Sequence, residues 1–193
     1  MNHNDENLKW EEISTDHIVR DQWIDFRRCE YRMPDGSTAG PFYNYSRRNY
    51  AVIVARDTEG RFICVRQYRH GIREVTTEFP AGGIERSGGQ EYGTDAKETA
   101  LHAAVRELEE ETGYVSDHWT HLLTIPSNAT ISDNYAFIFF AEDCRRVSQQ
   151  QLDETEFLSV ELLTEDQLKQ LIDENRFQQA MHILGYMLSL QHR

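Results

Sequence analysis

The sequence predicts an α+β fold, a mixed β-sheet between helices in an α/β/α sandwich, and three stretches carry that prediction. Tyr135 to Ala141 reads YAFIFFA, apolar at nearly every position, as expected of a strand covered on both faces. Asn49 to Tyr68 reads as a hairpin. Ala51-Val52-Ile53-Val54 and Phe62-Ile63-Cys64-Val65 flank the four-residue turn Asp57-Thr58-Glu59-Gly60. Glu98 to Tyr114 reads ETALHAAVRELEEETGY, with Ala100, Leu101, Ala104, Val105 and Leu108 on one stripe of helical period.

The remaining elements follow in order. Residues 1–9 are expected to be a frayed tail. Trp10 to about Tyr45 reads as short strands and turns, with Ile24 to Tyr31 strand-like and Met33-Pro34-Asp35-Gly36 a turn. Phe42, Tyr43 and Tyr45 begin another extended run. These residues, about 10–45, form an N-terminal antiparallel sub-sheet within a single domain of 1–193, and about 46–193 supply the core and C-terminal helices. Thr76 to Phe79 is a further strand, stopped by Pro80. Ala81-Gly82-Gly83 follows, where absent side chains let the backbone approach a ligand closely. Strands are expected near His121–Ile125 and Phe157–Leu162. Thr164-Glu165-Asp166-Gln167 has the form of a capping box, with Leu168, Leu171 and Ile172 as the stripe behind it. A last helix covers Phe177 to about Leu190.

Composition narrows the function. The 193 residues, 39% hydrophobic, are enough for one core. A net charge of −13 repels polyanions, so long DNA or RNA is not an expected partner. A small anion remains open if cations are gathered locally. No apolar run reaches the ~20 residues that a membrane span requires, and the polar start MNHNDENLKW does not read as a signal peptide. Cys29, Cys64 and Cys144 are odd in number and form no CxxC pair. They fit reduced thiols in a cytoplasm.

The chemistry sits on the central helix. Glu107, Glu110 and Glu111 fall within an arc of roughly 100° beside the apolar stripe, and Glu109 points elsewhere. Glu107 and Glu111 are one turn apart, where like charges cost roughly 0.2–0.5 kcal/mol. A hard divalent cation reverses the sign of that interaction. Taken alone, RELEEETG reads more readily as a solvated acidic face, and it is the matching residues around it that favour a metal site. Gly113 closes the helix at its C′ position.

With these residues in view, the stretch resembles the Nudix box, G-x(5)-E-x(7)-R-E-U-x-E-E-x-G-U. Glu98, Arg106-Glu107-Leu108, Glu110-Glu111 and Gly113-Tyr114 match it. The upstream glycine departs: Gly82 lies ten residues farther from Glu98 than the pattern asks, so ERSGGQEYGTDAK reads as an inserted Gly-rich loop. The resemblance implies the Nudix fold and Mg²⁺-dependent (or Mn²⁺-dependent) cleavage of a phosphoanhydride in a nucleoside diphosphate linked to another moiety. It implies Glu107 and Glu111 as ligands with Glu110 in support, the Ala81 carbonyl as a weaker one, and Glu98 with Arg106 as a structural ion pair.

The base is expected in a loop outside the box. Asp153-Glu154-Thr155-Glu156 resembles the acidic loop of ADP-ribose pyrophosphatases, which favours Glu154, then Glu156, with Asp133 as a third candidate. VRQYR and EFPAGG resemble the nucleoside-diphosphate-sugar branch and place Arg69 against the diphosphate, since guanidinium suits bidentate phosphate recognition. Arg47 and Arg48 form a second cationic spot. Phe26 or Tyr43 can stack on a base, though aromatics in such places are more often core. The segment 126–134 departs from ADP-ribose pyrophosphatases in lacking their Pro-Gly stretch with a terminal Glu. Against that departure, the N-terminal sub-sheet, VRQYR and EFPAG make ADP-ribose the substrate the resemblance implies, with GDP-mannose, a dinucleotide, or a non-catalytic nucleotide-sensing role as alternatives. The resemblance also implies a homodimer, in which N-terminal strands reach the partner's pocket.

Overall fold

A computed structural model describes residues 8–85 and 96–192, without the side chains of residues 96–98. The tail residues 1–7 and most of the inserted Gly-rich stretch, 86–95, lie outside it. Two compact units emerge: Met1–Arg48 with Pro126–Asn134, and Asn49–Ile125 with Tyr135–Arg193.

The sub-sheet expected near residues 10–45 is the body of the first unit. Strands β1 (Glu11–Arg20), β2 (Asp25–Arg32) and β3 (Thr38–Ser46) pair antiparallel in that order. They are longer than the short strands expected. Rings spaced for cross-strand contact explain the length: Trp10, Tyr31 and Phe42 form one cluster with centroids 5.6–6.1 Å apart. Phe26 stacks on Tyr43 at 5.9 Å, so these two aromatics are each other's partner. The Met33–Gly36 turn closes as expected, with Gly36 N–H donating to Met33 O at 2.9 Å and Gly36 at φ +85°. The later segment joins at Tyr45, whose N–H donates to Ile131 O at 2.8 Å.

The second unit is built on one mixed sheet. Its strands are β4 (Tyr50–Asp57), β5 (Phe62–Arg69), β6 (Glu74–Glu78), β7 (Ala81–Gly83), β8 (Tyr114–Val115), β9 (His118–Pro126), β10 (Tyr135–Arg146) and β11 (Leu158–Leu163). The main path runs β11-β5-β4-β10-β8, with β10 parallel to β4 and β5 antiparallel to β4. β4 meets β5 only at Ala55 and Arg56, and its first residues pair with β7. β5 in turn pairs with β6 from Val65 to Arg69.

Period-two alternation sorts the sheet into two cores. Ala51, Ile53, Ala55, Phe137, Phe139 and Ala141 face helix α1 (Ala96–Thr112). Val52, Val54, Ile138 and Phe140 face helices α2 (Glu165–Asp173) and α3 (Ala180–Ser189). Every residue from Ala136 to Ala141 is buried, as the unbroken apolar run predicts. This is the α/β/α sandwich read from the sequence.

The tail behaves locally as its residues dictate. Thr164 Oγ1 accepts from Gln167 N–H at 3.3 Å, and Gln167 Oε1 accepts from Thr164 N–H at 2.8 Å, completing the capping box. Helix α3 starts three residues later than expected, because Phe177 is spent as a core plug against Phe79 at 5.1 Å. Gly185 lets α3 settle on the sheet: a Cβ there would lie 2.9 Å from methyls of Ile138 and Val54. No helix among the described residues is long and apolar enough to cross a membrane.

His182 gives this packing a pH signature. Its ring is buried, and Nδ1 accepts the Phe79 N–H at 3.0 Å. Burial pushes its pKa down from 6.5 to about 3, with Arg69 adding to the shift. The unfolded chain takes up this proton below about 6.5, while the folded chain refuses it until about 3. The contribution is whole above pH 6.5 and is lost as pH falls toward 3, at about 1.4 kcal/mol per pH unit. His182→Gln keeps an acceptor but cannot titrate. Denaturant unfolding from pH 7 to 4 is expected to show a shallower acid decline in the variant than in the parent, and parallel profiles would refute the assignment.

Candidate active site

Helix α1 lays Ala100, Ala103, Ala104 and Leu108 into the core, so the residues one step round the helix meet the sheet's edge. Val105, expected on the stripe, stands exposed, and Ala103 takes the buried place. Glu107 and Glu111 are both buried, at 7% and 2% exposure. Glu109 points away, its carboxylate accepting from the Ser148 hydroxyl at 3.3 Å. Gly113 closes the helix at φ +75°.

What makes room for a buried carboxylate is Gly82. A Cβ on that residue would fall inside the Glu107 carboxylate. The close approach expected at this glycine is thus to the protein's own glutamate. On the same turn, the Ala81 N–H donates to Glu111 Oε2 at 3.1 Å. β7 therefore supports both acids, one through a missing side chain and one through a main-chain donor.

Glu156, from the loop before β11, completes the group. Ligand-capable atoms of Glu107, Glu111 and Glu156 all lie within 4.8 Å of one another. Burial raises the pKa of Glu107, opposed by the Arg106 guanidinium and reinforced by Glu156. Burial first, then the Glu107 charge, lift Glu111 well above the carboxylate range, while the Ala81 N–H and the Arg69 charge pull the other way. Oxygen-only donors that repel one another fit a hard divalent cation, and such a cation competes with protons for them.

The other expected residues fall as follows. Arg106 donates to Glu110 at 2.6 Å, to Glu107 at 2.7 Å and to the Gly83 carbonyl at 3.3 Å. Glu110 is thereby occupied by Arg106 and stands outside the trio. The Glu98 side chain lies outside the described residues. Glu154 is exposed, and Glu156 is the member of its loop that reaches the acids. Arg69 is already paired, with Nε and Nη2 at 2.8 and 2.7 Å from Glu78 Oε1. In the first unit, Asp133 is held by the Ser46 hydroxyl and by Arg27 at 3.3 Å, so this base candidate has a structural engagement. Arg47 is exposed, and Arg48 lies over the Trp23 ring at 5.6 Å. Glu78 was not singled out by sequence. A lone acid ending a strand is a weak signal, and its partner Arg69 is set by sheet pairing.

Comparison with known proteins follows the same lines. The NUDIX domain model matches residues 46–182, well over half of the chain. The chain belongs to the Nudix family. The chain is 30% identical over 164 residues to "ADP-ribose pyrophosphatase" of Bacillus subtilis (strain 168), covering 84% of this chain and 83% of that protein. It is 29% identical over 175 residues to "Methanol dehydrogenase activator" of Bacillus methanolicus, covering 90% and 88%. A solved structure, "Crystal structure of ADP compounds hydrolase", aligns with a TM-score of 0.76 over 95% of this chain and 93% of that one. At 20% identity it shows the fold. This Nudix chain is thus an enzyme of the pyrophosphatase class, on the branch that includes ADP-ribose pyrophosphatases.

Gly82 offers a selective test of the site. The clash in Gly82→Ala is with the far end of a flexible side chain, so the fold survives and the Glu107 carboxylate moves. Mn²⁺ affinity, read by paramagnetic resonance, is expected to weaken about tenfold, equal to ~1.4 kcal/mol, with little change in unfolding midpoint. Unchanged Mn²⁺ binding would show that Glu107 holds no cation.

Proposed function

We propose that this Nudix enzyme hydrolyses the phosphoanhydride of a nucleoside diphosphate sugar, with ADP-ribose cleaved to AMP and ribose 5-phosphate. The observation that carries the reading is the convergence of Glu107, Glu111 and Glu156. The Bacillus subtilis relative, named an ADP-ribose pyrophosphatase, supports the choice of substrate.

Glu107 and Glu111 are the residues that would hold Mg²⁺ or Mn²⁺, with the Ala81 carbonyl as a further candidate and Glu156 close beside them. A bound divalent ion supplies charge neutralisation at the diphosphate and acidifies water at neutral pH. Everything else falls to the chain. The Arg69 charge is felt at Glu111, where it favours the ionised form, and Arg69 is assigned to a diphosphate oxygen. Glu156 is placed ahead of Glu154 as the base, because it reaches the trio while Glu154 is exposed. In the step proposed, a water oxygen bonds to phosphorus as the bridging P–O bond breaks. The water's proton passes to the Glu156 carboxylate, and the second phosphate leaves as the anion. Glu110, held by Arg106, and Glu98 with Arg106 are assigned to geometry.

The same reading includes a homodimer and a reducing, cytoplasmic setting. Ile13, Ile18, Val19 and Trp23 stand exposed on the first unit, whose outer strand has an edge to cover. Cys29, Cys64 and Cys144 are buried free thiols. One observation favours a second reading, a module that binds a nucleotide to control another protein. The chain matches a protein named as a dehydrogenase activator over 175 residues.

A substrate panel of ADP-ribose, GDP-mannose and dinucleotides with Mg²⁺ tests both readings. Release of AMP and ribose 5-phosphate is the expected result. Recovery of every diphosphate intact would favour the sensing module. Glu111→Gln keeps shape and removes charge, and is expected to lower kcat by roughly 10²–10³. A near-normal rate in that variant would refute its assignment as a ligand.

A further inference from the structure

We propose that Glu78 is a positioning residue, holding Arg69 turned toward the substrate diphosphate and out of the acidic trio. The inference rests on the diphosphate reading above and deepens it.

Glu78 ends β6 with its side chain fully buried. A carboxylate in such a place is costly unless it is paired. Arg69, the last residue of β5, supplies the pair from four positions along the ladder and on the same face of the sheet, where Val65 faces Glu78 and Arg69 faces Glu74. Both contacts come from one edge of the guanidinium, Nε and Nη2, and both end on Oε1. The planar fork is thereby fixed, and Nη1 makes no hydrogen bond among the described residues. The second oxygen, Oε2, has no hydrogen-bond partner, while the Gln67 and Gln179 side chains act on the same carboxyl group. Burial pushes the Glu78 pKa up, and the Arg69 charge is the foremost influence that opposes it.

The pairing has a second consequence. Arg69 is half-exposed and close enough to Glu111 for its charge to be felt there. Three clustered carboxylates are a strong attractor for a mobile guanidinium. Without Glu78, Arg69 would swing to Glu107, Glu111 and Glu156 and compete for the place assigned to the divalent ion. Glu78 thus does two things with one bond: it aims a phosphate-binding cation and keeps that cation from acting as an internal plug. Among the described residues Glu78 is the ion-pair partner of Arg69, and Arg106 is already bound to Glu107 and Glu110.

The test is a double-mutant cycle on the whole chain, using Glu78→Gln, Arg69→Gln and the pair. ADP binding is read by calorimetry with Ca²⁺ present, and Mn²⁺ binding without nucleotide by paramagnetic resonance. Arg69→Gln and Glu78→Gln are each expected to weaken ADP about ten- to a hundredfold, the range for a lost charge-assisted contact. The pair should be no weaker than Arg69→Gln alone. Mn²⁺ affinity should fall about tenfold in Glu78→Gln and return to the parent value in the pair, where no guanidinium is left to intrude. A general loss of structure cannot give that recovery. Additive losses for ADP, unchanged Mn²⁺ affinity in Glu78→Gln, or no recovery in the pair would each overturn the proposal. Should Glu78→Gln fail to fold, Glu78→Asp keeps the charge but withdraws it by one methylene, and the same pattern is required of it. Both readouts are equilibria, so a parent chain that binds ADP but hydrolyses nothing would defeat the catalytic reading while leaving this one to stand on the cycle. A parent chain that does not bind ADP would overturn it.

Discussion

Two like charges buried one helical turn apart are the constraint around which the second unit is arranged. Glu107 and Glu111 gain nothing from each other, and burial alone makes each of them reluctant to ionise. The surrounding backbone is shaped to tolerate them. β7 passes with a glycine where Glu107 needs volume and with an amide where Glu111 needs a donor. Arg106 reaches forward along its own helix to hold Glu107 and Glu110 together. Even so, the third carboxylate, Glu156, is brought in and makes the repulsion worse. A fold selected only for stability has no reason to do this, because replacing buried ions by apolar groups is often neutral or stabilising. The arrangement makes sense as a cation site held ready.

Sheet topology explains how three distant segments reach one place. β4 is shared along one edge between β7 and β5, so the β6–β7 segment, with Pro80 at its corner, sits next to the strand that backs α1. The Pro80 carbonyl accepts from Ile53 N–H at 2.9 Å, which locks the corner to the central strand. The acidic loop is fixed to the same C-terminal end of the helix. Gln150 Nε2 donates to the Glu111 carbonyl at 2.7 Å, and Gln151 N–H donates to the Glu110 carbonyl at 2.8 Å. These bonds also satisfy carbonyls that a helix end leaves open. The loop that delivers Glu156 is therefore tied to the same helix that carries the other two acids.

Elements whose signal is local periodicity or capping chemistry were legible in the sequence. β10, the hairpin at Asp57–Gly60, the capping box at Thr164 and the pair Glu107–Glu111 all belong to this class, because residues a few positions apart decide them. Legibility fails where a residue's partner is far along the chain. Arg69 reads as a phosphate ligand from its motif, but its bond to Glu78 depends on the pairing of β5 with β6. Glu156 and Glu154 are equivalent as letters in an acidic loop, and only the path of that loop past α1 separates them. Gly82 reads as room for a ligand, while the atoms that fill the room belong to Glu107. Val105 fits the apolar stripe by type but lies at its margin, beyond the width that the sheet covers.

Charge accounting then constrains how a diphosphate can enter. Among the described residues, Arg69 and Arg106 are the cations whose charge is felt at the trio, and each already has a carboxylate of its own. In the absence of a divalent ion, carboxylates outnumber guanidiniums among the described residues of the site, and the chain as a whole carries −13. A nucleoside diphosphate approaching that surface meets repulsion both at long range and on contact. Neither arginine can reverse this by itself, because the positive charge of each is spent on a neighbour. Attraction requires added positive charge among Glu107, Glu111 and Glu156, so the proposed substrate and the cation bind as linked events, each raising the affinity for the other by the same factor. An acidic protein can in this way take an acidic substrate while rejecting long polyanions. The neutralisation is confined to one small cluster, and a nucleic acid strand would still face the rest of the negative surface.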